Sequence, residues 1–294
     1  MNLSTRLRFW KHLVRLAQHN IFGGVRYEDA VAEAMNGIAA RWHGEIDPFY
    51  SYMAMLDVLK QAKISGEGLE IGGGYSTILF SQLVDLNKMS IESIDMNPDK
   101  YLRIIPRART RRHLFERIHR VDRLSVSLGQ VLTSYKLDLA ARISKVGSER
   151  YTLALKNFIR DEHIFNKNHF DLFKFKPEDW GGLLLQLPDF KVEEKFYIHK
   201  GLSEEVGYCS ELQKQGRTFD FIFFDCGEYS SLAEWFILEK QIKVGGFALL
   251  HDIYYPKSVK NFLVATFISV SEDWEIVYKD TASQQGALVA KRVK

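Results

Sequence analysis

The chain has 294 residues, 46% hydrophobic and 26% charged, with a formal net charge of +3. That composition reads as an ordinary globular protein of one large domain, or one domain with a sizeable insertion, able to bury a full core. No apolar run approaches the roughly 18 residues of a membrane span. The two cysteines, Cys209 and Cys226, give neither a disulfide framework nor a metal spacing, which favours a reducing, cytoplasmic setting.

Residues 1–64 read as a helical N-terminal segment. In MNLSTRLRFWKHLVRLAQHN, Leu7, Trp10, Leu13, Val14 and Ala17 fall at helical spacing among Arg6, Arg8, Lys11 and Arg15. This stretch is expected to dock on the domain or on a partner chain, a homo-oligomer included, with a membrane-surface helix as the alternative, and its broken apolar run is not that of a secretory signal. After Gly23–Gly24, YEDAVAEAMNGIAARW reads as a second helix, and Asp47–Pro48 starts a third through FYSYMAMLDVLKQA.

From Gly68 strand and helix signals alternate. GLEI (68–71), MSIESIDM (89–96), KFYIHKG (195–201), FDFIFFD (219–225) and GGFALLHD (245–252) read as strands. Ser76–Leu86, Tyr229–Lys240 and a stretch opened by Pro256 read as helices, and WEIVYKD and GALVAKRV form a closing hairpin across TASQQG. Alternating units closed by a hairpin predict a doubly wound, mostly parallel seven-stranded α/β sheet over residues 65–294. The interval 100–194 is far too long for an ordinary crossover and reads as a helical insertion, for acceptor recognition or oligomerisation.

The loop GLEIGGGYST fits the dinucleotide pattern G-x-G-x-x-G only in part, through Gly72 and Gly74, while Asp95 stands near the distance expected of a ribose-binding acid. An acid inside the first strand, helices ahead of it and a terminal hairpin argue against an NAD-linked oxidoreductase. Together these features resemble the class I S-adenosylmethionine-dependent methyltransferases over about 66–99 and 195–294. LEIGGGYST, FFDCGEYSSLAEW, GGFALLHDI and TASQQGALVAKR look most similar to the macrocin O-methyltransferase-like group. The resemblance implies a Rossmann-like methyltransferase fold and S-adenosylmethionine as cofactor. It places Gly72, Gly73 and Gly74, with Ser76 and Thr77, against the methionine part and has Glu70 orient the amino group. Asp95 and Met96 would meet the ribose, Gly201 and Leu202 the adenine, and Asp225 the cofactor's reacting end.

Candidates for the chemistry stand at the ends of the fourth and fifth strands, where such sheets bind ligands: Asp225, Glu228, Tyr229, His251 and Asp252. His251 could act as base, and Asp225 and Asp252, with Glu228, could offer oxygens to Mg²⁺ to hold and acidify an acceptor hydroxyl. Asp225-Cys226-Gly227-Glu228 departs from the Asp-Gly-x-His common in that group, which leaves base and metal open.

From Arg103 to Arg123, eight arginines face only Glu116 and Asp122. The segment reads either as a solvated, partner-facing helix or as a site in which Arg107, Arg109, Arg111 and Arg112 recognise an anionic acceptor. Nucleic acid is disfavoured, because only Phe115 is there to stack. Asp161–Glu162–His163 and His169–Phe170–Asp171 read as solvated surface, and Trp180–Gly181–Gly182 as a loop or a turn over the substrate. The expected activity is O-methylation of a small-molecule, sugar or glycan hydroxyl. The alternative is a non-catalytic cofactor-binding or assembly subunit.

Overall fold

A computed structural model describes residues 47–86, 89–97, 117–160, 170–199, 206–281, 283 and 285–294. The first two N-terminal helices, Arg107, Arg109, Arg111, Arg112, the 161–163 and 169 positions, Gly201 and Leu202 lie outside them. Helix α1 (Asp47–Gln61) begins at the predicted Asp-Pro. Strand β1 (Gly66–Ile71), helix α2 (Tyr75–Leu86) and strand β2 (Met89–Ile94) follow as expected. Strands β3 (His119–Val121), β4 (Phe219–Phe224), β5 (Ile242–His251), β6 (Trp274–Asp280) and β7 (Ala287–Arg292) complete one seven-stranded sheet.

Its order is β3-β2-β1-β4-β5-β7-β6. Strands β1 to β5 pair in parallel, and β7 runs antiparallel between β5 and β6. Side chains alternate across each strand, so both faces must be covered where both are apolar. In β4, Phe221 and Phe223 pack with Leu79, Phe80 and Leu83 of α2 and with Met55 and Leu59 of α1. Ile222 and Phe224 face the other layer, with helices α9 (Ser230–Leu238) and α10 (Phe262–Val270). Among the described residues no helix is long and apolar enough to cross a membrane.

The third strand is not where the sequence suggested. KFYIHKG does not form one: residues 195–199 belong to an α-helix, Pro188–His199, in which Phe190 and Tyr197 are buried two turns apart. Tertiary packing at helical spacing overrides a short run of β-favouring residues. The strand beside β2 is instead His119-Arg120-Val121, inside the arginine-rich segment and the 100–194 interval. It is a short, charged edge strand with one buried residue, and its sequence therefore lacks the apolar signature of a central strand.

The helical excursion accordingly lies between β3 and β4. It contains α3 (Leu128–Thr133), a π-turn, α4 (Leu139–Val146), α5 (Ser148–Leu155), α6 (Trp180–Leu184) and α7 (Pro188–His199), and α8 (Tyr208–Lys214) leads back to β4. Its ends meet. Tyr208 N–H donates to Leu124 O at 2.9 Å and Cys209 N–H to Ser125 O at 3.0 Å. Ser127 and Gln130 form a capping box on α3, and the Gln130 amide oxygen also accepts from Gly207 N–H. Closing the excursion at its base lets the sheet form as though it were absent.

Two further readings are corrected. Trp180 opens the buried α6, its indole N–H donating to Leu172 O at 2.8 Å, so Trp180–Gly182 is a packing element and not a turn over a substrate. Gly181 is required there, because a Cβ would stand 1.8 Å from Tyr135 O. The helix expected from Pro256 begins only at Phe262. Residues 256–261 make a loop around the ends of β4 and β5, which holds part of the site.

Candidate functional site

The glycine loop turns from β1 into α2. Gly72 has φ +93°, and its N–H donates to Ile94 O at 2.9 Å. Glu70, just before it, is fully buried. Its carboxylate accepts from Ser76 Oγ at 2.5 Å, Thr77 Oγ1 at 2.6 Å and Ser93 Oγ at 2.5 Å. Burial outweighs these three bonds and pushes the Glu70 carboxyl up to about 7. Glu70, Ser76 and Thr77 are thus brought together as a polar knot inside the turn, with Ser93 of β2 as a partner that sequence spacing did not reveal.

At the carboxyl ends of the strands lies a cavity of about 720 Å³, lined by Ile94, which accepts the Gly72 N–H, but not by Glu70, Gly72–Gly74, Ser76 or Thr77, which the sequence reading placed against the cofactor. The cavity is within the range of roughly 300–1,000 Å³ typical of small-molecule sites, at the switch point where open α/β sheets bind ligands. Asp95 and Met96 after β2, Leu124 and Ser125 after β3, and Cys226–Glu228 after β4 form one side. Helix α7 forms another, with Asp189, Val192, Glu193, Phe196 and Tyr197, and Pro256–Val259 closes a third. Leu124 and Ser125 hold the place after β3 that the sequence reading gave to Gly201 and Leu202. Asp95 accepts from Asn97 N–H at 2.8 Å, which fixes its carboxylate.

Among the described residues, acids outnumber bases in these walls: Asp95, Asp189, Glu193 and Glu228 against Arg123 and Lys257. Arg123, from the end of the arginine segment, is committed to Glu211, with 2.7 Å between its Nη1 and Oε2. Such a field favours a cationic ligand.

Glu193 was missed in the sequence, because KVEEKFY reads as loop and strand rather than as a helix laid against the site. Its Oε2 accepts from Tyr229 N–H at 3.1 Å, and its Oε1 has no hydrogen-bond partner among the described residues. Burial pushes its carboxyl up to about 7, against that backbone bond. Gly227 permits this approach: a Cβ there would be 2.7 Å from Glu193 Oε1. Behind the wall, Glu234 of α9 accepts from Ser125 Oγ at 2.5 Å and is also raised to about 7, chiefly by burial.

The residues expected at the reacting end gather in a second cluster next to the cavity. The Asp225 and Asp252 carboxylates and the His251 ring lie within 4.8 Å of one another. Asp252 sits at φ +59°, a left-handed backbone held by its N–H to Gly286 O and by Asn261 N–H to its own carbonyl. Lys260, which the sequence did not single out, enters between the carboxylates, its Nζ 2.8 Å from Asp225 Oδ1 and 3.0 Å from Asp252 Oδ2. His251 Nδ1 stands 3.0 Å from Asp252 Oδ1, an ion-pair distance without hydrogen-bond alignment. Tyr52 of α1 donates its hydroxyl to Asp225 Oδ2 at 2.8 Å.

Burial alone would lower the His251 pKa, but Asp252 and Asp225 outweigh it and push it up to about 10. Burial would likewise raise both carboxyls, and Lys260 and His251 hold Asp225 and Asp252 below the usual range instead. A protonated imidazole has no lone pair with which to take a proton, so this environment argues against His251 as base at neutral pH. Glu228 is not in the cluster. It accepts from Ser258 Oγ at 2.7 Å and Val259 N–H at 2.9 Å, and so shapes the 256–261 loop. Tyr229 is buried, its hydroxyl donating to Leu184 O.

Mg²⁺ prefers an octahedral shell of oxygens and retains water. Here the Lys260 ammonium already stands between the two carboxylates, with the His251 ring beside Asp252. The donor set does not fit that ion while Lys260 lies between them.

No protein-family model matches the chain, and no curated protein sequence matches it. Solved structures do resemble it. A methyltransferase from Geobacter sulfurreducens is 12% identical, with 96% of each chain covered and a TM-score of 0.46. The O-methyltransferase from Bacillus cereus, in complex with SAH, is 13% identical over 94% of this chain and 96% of that one, at a TM-score of 0.44. TomG from Streptomyces achromogenes, an O-methyltransferase of tomaymycin synthesis in complex with SAM, is 10% identical over 95% of each chain, again at 0.44. At such identities these likenesses concern the course of the chain alone, and the likeness to the macrocin group rests on sequence motifs. The strand order, with β7 alone antiparallel, is itself the Rossmann-like methyltransferase fold of class I.

Proposed function

We propose that the protein is an S-adenosylmethionine-dependent methyltransferase that methylates a hydroxyl of a small-molecule, sugar or glycan acceptor. The observation that carries this reading is the meeting of Asp95, Met96, Leu124, Ser125 and Cys226–Glu228 in one acid-rich cavity at the switch point of the sheet. Asp95 would hold the ribose hydroxyls, and the apolar Met96 and Leu124 would flank the adenine. The acid-rich walls suit the positive charges of the cofactor.

When bound, S-adenosylmethionine supplies a sulfonium methyl that an acceptor oxygen displaces in line. Glu193, a carboxylate of the cavity wall with one oxygen held by the Tyr229 N–H, is the group among the described residues assigned to accept the hydroxyl proton. The exposed-to-buried apolar stripe Val192, Phe196 and Tyr197 on the same helix would seat the acceptor's body. Among the described residues this field supports an uncharged or cationic acceptor, the arginines that suggested an anionic one lying outside them, and the excursion carrying α7 would then set acceptor choice.

Calorimetry with S-adenosylhomocysteine tests the reading: binding that Asp95→Ala abolishes is the expected result. Absence of binding, with nicotinamide cofactors binding instead, would overturn it. Binding without methyl transfer to any hydroxyl would point to an assembly subunit.

A further inference from the structure

We propose that Lys260 is the resident cation of the Asp225–Asp252 pair, standing where the sequence suggested Mg²⁺, so that the protein works without a divalent metal. This deepens the methyltransferase reading and rests on it for the consequence, but the cation assignment stands on geometry alone.

Three of the four carboxylate oxygens of the pair accept a hydrogen bond from the chain, and the fourth, Asp252 Oδ1, has His251 Nδ1 beside it without hydrogen-bond alignment. Lys260 Nζ reaches Asp225 Oδ1 at 2.8 Å and Asp252 Oδ2 at 3.0 Å. Tyr52 takes Asp225 Oδ2, and His251 Nδ1 lies 3.0 Å from Asp252 Oδ1. Lys260 is only 9% exposed, so its ammonium has no water shell to return to without leaving the pair. A dication entering here would have to expel a buried ammonium from between the two carboxylates.

The lysine also does what an ion cannot. Its backbone belongs to the 256–261 loop, whose Ser258 and Val259 line the cavity. Binding the two strand ends through Nζ therefore fixes that wall in place. Without the Lys260 tie, the loop would be held to the strand ends, among the described residues, by Glu228 and Asn261 alone.

The test is a Mn²⁺ titration of the metal-stripped full chain, followed by electron paramagnetic resonance, with no cofactor or acceptor present. Wild-type protein is expected to bind no Mn²⁺ that Asp252→Asn removes, and its thermal midpoint should be the same in EDTA and in millimolar Mg²⁺. Lys260→Ala is expected to gain one Mn²⁺ site, abolished by adding Asp252→Asn. A wild-type site lost in Asp252→Asn would overturn the proposal, as would a folded Lys260→Ala protein that gains none. If Lys260→Ala does not fold, the wild-type and Asp252→Asn titrations decide. S-adenosylhomocysteine binding, measured separately in EDTA, tells failure of the methyltransferase reading from failure of the cation assignment.

Discussion

Gly72 and Asp225 meet backbone to backbone: a Cβ on Gly72 would stand 2.1 Å from the Asp225 carbonyl oxygen. Ile71 O accepts from Asp225 N–H at 2.9 Å on the same seam, so the glycine loop and the end of β4 are one unit. Gly72→Ala meets both this clash and a φ of +93°. A destabilisation of at least about 2 kcal/mol is expected from backbone strain and displacement together. Urea denaturation measures it, and a loss below half of that would show that the seam can open without cost.

Asp95→Asn keeps the side chain's size and an acceptor for Asn97 N–H while removing the charge. S-adenosylhomocysteine affinity should fall about tenfold to a hundredfold, since charged hydrogen bonds carry roughly 1.5–3 kcal/mol. Calorimetry reads the affinity. An unchanged thermal midpoint would separate a lost ligand contact from a disturbed strand end.

Glu193→Gln retains an acceptor for Tyr229 N–H but cannot take a proton. Turnover should drop about a hundredfold or more, the usual scale of general-base catalysis. In the wild type, turnover should rise with pH through about 7, the raised value of this carboxyl, and the variant should lack that rise. An identical pH profile in the variant would assign the limb to another group.

Glu70, Glu193 and Glu234 share a thermodynamic consequence, each being raised from 4.5 to about 7 by burial. The folded protein holds protons that the unfolded chain releases above 4.5. Their stabilising contribution is thus fully present below about 4.5 and lost as pH rises through 7. Unfolding midpoints in urea should decline between pH 5 and pH 8, and Glu234→Gln should make that decline shallower. His251, raised to about 10, adds a further loss of the same sign on the alkaline side.

The β1–α2 glycine loop, β2 with Asp95, β4, β5 and the closing hairpin were legible from sequence because central strands and tight turns carry local signatures. A short run apolar at every position suits a strand covered on both faces, and glycines directly after it suit a close backbone approach. So the sequence by itself determined the sheet class and which acids stand at strand ends. It did not determine the third strand, since an edge of three residues buries too little to leave a pattern. It also hid Glu193 and Lys260, whose roles arise from partners 36 and 35 positions away, Tyr229 and Asp225. Only the tertiary structure brought His251 beside two carboxylates, whose charges push its pKa up and count against the role of base. Charge at a site depends on distances through space, and those are decided when helix α7 and the 256–261 loop close over the sheet.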